Sequence, residues 1–110
     1  MEFLDSSTTV TLSTGTTYVS GDINIESGVT FSYGASGTRL LYLDGSSNTT
    51  VKINAKNLFN FRVNKTTGYS VTVSDYDLVV DGYCYVVYGE LIMGSVSVPR
   101  NLTVGTNLNV

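Results

Sequence analysis

From Leu78 to the last residue, a pair of the form apolar-x-apolar recurs every six residues: Leu78/Val80, Cys84/Val86, Glu90/Ile92, Val96/Val98, Leu102/Val104 and Leu108/Val110. Glu90 is the only polar member of the series. In an extended strand, residues i and i+2 project to the same side, so each pair marks one inward-facing stretch. Turn-compatible residues separate the pairs: Asp81-Gly82, Gly89, Gly94, Pro99-Arg-Asn101 and Gly105-Thr-Asn107. A six-residue unit is too short for a strand, a hairpin and a change of register. It is long enough for one flat face of a β-solenoid, where the chain turns a corner and stacks on the turn below. Asn101-Leu-Thr-Val104 and Asn107-Leu-Asn-Val110 repeat almost residue for residue.

The middle of the chain carries the same kind of pair at ten-residue spacing: Phe31/Tyr33, Leu41/Leu43, Val51/Ile53, Phe61/Val63 and Val71/Val73. Short strands at that spacing suit a β-sandwich or barrel as well as a coiled β-helix. The fold class read from these patterns is all-β without significant helix, either a β-solenoid or a β-sandwich of short strands, with the solenoid preferred. The best helical candidate, Asn54–Asn60, amounts to one or two turns. Ala occurs only at positions 35 and 55 and Gln is absent, whereas Val, Thr and Tyr suit a pleated surface. Asp44-Gly45 and Asp81-Gly82 are tight-turn dipeptides. The 110 residues form one all-β domain or a fragment of a longer chain.

The closing segment Asn101-Leu-Thr-Val-Gly-Thr-Asn-Leu-Asn-Val110 resembles the "NLTVGGNLTV"-type stretches of bacteriophage and other viral fibre proteins. The six-residue pairs also resemble those of bactofilin-type, polymer-forming β-solenoids. The likeness covers Leu78–Val110, under a third of the chain. The viral-fibre resemblance implies an elongated, often trimeric, non-enzymatic assembly element.

Composition narrows the chemistry. Net charge is −3 and no two basic residues are adjacent, so the electrostatic footprint of a nucleic-acid partner is missing. No apolar stretch approaches the ~20 residues of a membrane helix. Met1–Ser7 shows neither the basic nor the apolar region of a secretory signal. With no histidine, Ser-His-Asp and Cys-His catalysis and most zinc sites are excluded. Hexapeptide-repeat acyltransferases resemble the six-residue pattern, but that family relies on a histidine base. Cys84 is the single cysteine and no His or Lys stands near it in sequence, which reads as a small buried hydrophobe rather than a reactive thiol. Asp75 and Asp77 would share a face of an extended segment, in principle a Ca²⁺ or glycosidase pair. A polar turn before a strand is the simpler account of them. Gly34-Ala-Ser-Gly37 lacks the Lys-Ser/Thr of a phosphate loop. Asn48, Asn64 and Asn101 open Asn-x-Ser/Thr triplets. No catalytic residue, metal site or cofactor is expected.

Two groups of residues are candidates for contact. Tyr83, Tyr85 and Tyr88 crowd one stretch, and alternation turns Tyr83 and Tyr85 away from Cys84 and Val86. They are expected to meet a ligand or another subunit, or only to stabilise the sheet as an aromatic ladder. Leu102, Val104, Leu108 and Val110 form the second group. A solenoid end without a polar cap offers unpaired backbone to another chain, so these residues are expected at an oligomer interface, with Ser6–Leu12 as the complementary strand. The reading that follows is a non-enzymatic structural subunit of a virion, fibre or surface filament. It would act outside the cell or on a virion and associate with its own copies or with other structural subunits. The alternative is a carbohydrate-binding or adhesin-type module.

Overall fold

A computed structural model describes residues 2–3, 9–11, 15–26, 30–32, 39–54 and 57–109, with side chains described within 15–26, 39–54 and 57–109. Its strands are β1 (Glu2–Phe3), β2 (Thr9–Thr11), β3 (Thr16–Val19), β4 (Ile23–Ile25), β5 (Thr30–Ser32), β6 (Leu40–Leu43), β7 (Thr49–Ile53), β8 (Asn57–Leu58), β9 (Asn60–Asn64), β10 (Ser70–Val73), β11 (Leu78–Val80), β12 (Tyr83–Tyr88), β13 (Glu90–Met93), β14 (Leu102–Val104) and β15 (Asn107–Asn109). No helix occurs among the described residues. The predicted helical candidate at Asn54–Asn60 instead carries β8 and the start of β9.

The chain is a β-solenoid. Among the described residues every strand pairing is parallel, which a sandwich of hairpins cannot produce. One five-stranded sheet runs β1-β4-β7-β10-β13 and another runs β15-β12-β9-β6-β3. Between them the chain passes through β2 or β5, which pair together, and then through β8, β11 or β14, which form a third sheet. The order first sheet, connecting strand, second sheet therefore repeats along the whole chain.

Register stacks like on like. On the second sheet, Thr17, Leu41, Phe61, Cys84 and Leu108 form one inward column, and Val19, Leu43, Val63 and Val86 form another. On the first sheet Ile23, Val51, Val73 and Met93 align, as do Ile25 and Ile53. From Ile23 to Cys84 the core members of these columns are fully buried, each contributing on the order of 1.5–3 kcal/mol of hydrophobic stabilisation. The ten-residue spacing now has a cause. From Leu41/Leu43 onward its pairs fall alternately on the two large sheets, and two steps make one turn, since Leu41 pairs with Phe61 and Leu43 with Val63; Phe31, in β5, falls on the two-stranded sheet instead. Of that series, the Phe31 side chain and Tyr33 lie outside the described residues.

The six-residue spacing holds for β11, β12, β14 and β15 but is corrected at two places. The inward residues of β13 are Leu91 and Met93, packed on the core and aligned with Val71 and Val73, not Glu90 and Ile92. The phase slips because the β12–β9 ladder is irregular between Val86 and Tyr88. Gly89 follows at φ +84°, where a Cβ would meet Lys65 Cβ at 2.6 Å and the Tyr69 carbonyl oxygen at 2.8 Å. Only glycine fits both the backbone conformation and the space. Val96 and Val98 are not inward either. They lie in a surface excursion between β13 and β14, closed by an antiparallel bridge from Gly94 to Pro99, with Val96 fully exposed and Val98 half exposed.

Candidate functional site: the terminal turn

The last turn consists of β13, β14 and β15, each the edge of its sheet. Its inward residues are incompletely covered. Leu91, Met93, Leu102 and Val104 are partly buried against the core, and Leu108 is 50% exposed. Val86, Leu91, Met93, Leu102 and Leu108 line most of an apolar groove of about 220 Å³. Leu102, Val104 and Leu108 thus lie on strands that edge their sheets. Val110 lies outside the described residues, as do most of Ser6–Leu12 and all side chains of that segment. The segments β14, Leu-Thr-Val, and β15, Asn-Leu-Asn, contain neither charge nor proline, the usual devices that blunt an exposed strand edge.

Adjacent turns are tied by side chains as well as by the ladder. Asp22 Oδ1 accepts the Thr50 N–H at 2.8 Å. Asn48 Oδ1 accepts that of Ser70 at 3.0 Å. Asn60 Oδ1 accepts that of Tyr83 at 2.9 Å, and Asp77 Oδ1 that of Asn101 at 2.9 Å. Each acceptor stands at its donor's register position, one turn earlier in the chain. A carboxamide or carboxylate there replaces the carbonyl that a strand start cannot supply, so the N–H is not stranded.

The outward side of the second sheet holds the tyrosines. Tyr18, Tyr42, Arg62, Tyr85 and Asn109 form one column. The Arg62 guanidinium lies 5.3 Å from the Tyr85 ring centroid and 5.9 Å from that of Tyr42. Tyr83 and Tyr85 stack with centroids 5.8 Å apart and planes 12° apart, and Tyr18 packs on Tyr42 at 5.0 Å. The Asn64 amide donates to the Tyr42 hydroxyl. Tyr83 and Tyr85 do face outward together, stacked on each other, with Arg62 also over Tyr85 and Tyr83 39% exposed. Tyr88, 62% exposed, stands apart beside Asn64. The sequence did not single out Arg62, Tyr42 or Tyr18, because only the turn spacing brings them into this column.

The two carboxylates singled out in the sequence have structural partners. Asp77 holds the Asn101 N–H, and Asp75 pairs with Lys52 at 3.2 Å on the surface. No cluster of three or more metal-ligating side chains occurs among the described residues, nor does a helix long and apolar enough to cross a membrane. Cys84 is fully buried beneath Phe61, and burial pushes its thiol up to about 11. Lys65, unremarked in the sequence, is 1% exposed. Its Nζ donates to the Asp44 carbonyl at 2.7 Å and the Ser20 carbonyl at 3.4 Å, joining three successive turns at one corner. Burial lowers its pKa, opposed by the Asp44 and Asp22 carboxylates. The signal was present: Lys65 continues the inward phase of Phe61 and Val63. No family model, curated protein or solved structure matches the chain.

Proposed function

We propose that this protein is a non-enzymatic structural subunit of a virion, fibre or surface filament, working outside the cell or on the particle surface, and that it self-associates through the edges of its solenoid. The observation that carries this reading is the terminal turn. It combines three parallel strand edges, a half-open apolar interior at Leu91, Met93, Leu102 and Leu108, and edge strands β14 and β15 free of charge and proline. An edge of that kind gains main-chain hydrogen bonds and buries apolar surface when another strand is added to it. The test is light scattering with negative-stain microscopy over a range of concentrations. Oligomers or filaments are expected, and Leu108→Lys, which places a charge at the open edge, should shrink them. A monomer at high concentration, indifferent to Leu108→Lys, overturns the reading.

A second reading, recognition of sugar rings, rests on Tyr18 and Tyr88, which are 66% and 62% exposed. Glycan-array binding lost on Tyr18→Ala or Tyr88→Ala would favour it; retention of binding in both variants would count against it.

A further inference from the structure

Four side-chain acceptors of backbone N–H groups from a neighbouring turn point the same way along the solenoid. Asp22, Asn48, Asn60 and Asp77 each accept an N–H from the following turn. Two of these columns end in another asparagine. Asn101 stands beneath Asp77, one position before the Leu78–Leu102 pair. Asn107 stands beneath Tyr83 and, above it, Asn60. Both are exposed, and neither side chain hydrogen-bonds a described residue. The last turn therefore repeats the acceptors that earlier turns use to hold a successor.

We propose that this edge receives the first turn of a second copy, head to tail, with Asn101 and Asn107 accepting backbone N–H groups from it. The inference rests on the self-association reading above and adds its direction, register and residues. The second copy is the occupant because its β3 is the opposite edge of the very sheet that β15 ends, running in the same direction. Thr16 heads the column that Asn107 closes, and Thr17 heads the inward column that Leu108 closes. Laying β3 of one copy below β15 of another thus continues the columns of that sheet without a change of register. β3, Thr-Thr-Tyr-Val, also carries neither charge nor proline. A tail-to-tail dimer would instead run two β15 strands antiparallel across a two-fold axis, set asparagine acceptors against each other and close the assembly. Head-to-tail contacts are heterologous and propagate.

Tyr18 and Asn109 occupy one outward column, so the proposed contact brings them about 4.8 Å apart at the backbone, within disulfide reach. The experiment mixes full-length Tyr18→Cys with full-length Asn109→Cys under mild oxidation; Cys84 is buried and does not compete. The expected result is a cross-linked dimer in the mixture and none from either variant alone. Adding Asn101→Ala and Asn107→Ala to the Asn109→Cys chain, with strand content checked by circular dichroism, should cut the yield about tenfold, as losing two net hydrogen bonds implies. Asn101→Asp with Asn107→Asp keeps both acceptors and should retain the yield. Self-cross-linking of Asn109→Cys overturns the direction. Oligomers that form without the mixed cross-link, or a mixed cross-link indifferent to the alanine pair, overturn this inference and leave self-association standing. A strictly monomeric chain overturns both.

Discussion

Asn60 and Tyr83 lie one turn apart, and the Asn60 side chain accepts the Tyr83 backbone N–H at 2.9 Å. Gly82, just before Tyr83, lies so close beneath that a Cβ would sit 2.4 Å from Asn60 Oδ1 and 2.6 Å from the Phe59 carbonyl oxygen. The stacked corner and the side-chain tie thus depend on each other: a bulkier residue at position 82 would push Asn60 off the N–H it satisfies.

Gly82→Ala should therefore destabilise the fold by about 2 kcal/mol or more, from contact with backbone rather than from φ. Gly21→Ala is the control. Nothing lies within 4 Å of a Cβ there and its φ is compatible with alanine, so it should be neutral or stabilising by about 0.5 kcal/mol. Urea denaturation of the two variants checks this. Equal midpoints would refute the close stacking at this corner.

Asn60→Ala leaves the Tyr83 N–H without its acceptor and should cost about 1–2 kcal/mol. Asn60→Asp, which keeps an acceptor, should recover most of it. Hydrogen exchange at Tyr83 reads the bond directly: exchange should accelerate in the alanine variant and stay slow in the aspartate one.

Lys65 gives the fold a pH dependence of known sign. Its folded-state pKa is lowered by burial from the ordinary 10.5, so the unfolded chain binds more protons between the lowered value and 10.5. Stability contributed by this site must rise as pH rises through that window. The difference in unfolding free energy between wild type and Lys65→Met, followed from pH 7 to pH 10.5, should move in favour of wild type. A flat difference would mean that the ammonium is not desolvated.

The phase slip at β13 separates neighbouring positions. Leu91→Ser removes a residue packed on the core and should cost about 1–3 kcal/mol. Val96→Ser, on a fully exposed side chain, should stay within about 0.5 kcal/mol. Thermal melts rank the two, and a larger loss for Val96→Ser would restore the uninterrupted six-residue pattern.

Cys84 should resist thiol reagents in the folded protein. With its pKa at about 11, only about a thousandth is thiolate at pH 8, and Phe61 and its neighbours cover it. Labelling by a chromogenic disulfide at pH 8 should appear only on unfolding in guanidinium.

The alternation of Leu41/Leu43, Val51/Ile53, Phe61/Val63 and Val71/Val73 was enough to name these buried residues, because a strand offers only two sides and one must be dry. The same phase extends to Lys65, which the sequence reading passed over because a lysine is rarely buried. The rule failed at Glu90/Ile92 because an irregular ladder step and a glycine at positive φ shift the phase by one, and alternation by itself carries no memory of such a shift. It failed at Val96/Val98 because a surface excursion has the same local composition as a strand.

Outside β13 and the Val96–Val98 excursion, the sequence by itself determined most of the strands, their inward residues and the places where the chain turns, since these depend on side-chain chemistry and spacing within a few residues. Only the tertiary structure decided that the strands are parallel, which residues share a column, and hence that Arg62 lies among tyrosines and that Asn101 and Asn107 repeat the acceptors of earlier turns. Those relations join residues a full turn apart. Turn length here varies with each corner, so the register is set by how the corners pack and not by any local signal in the chain.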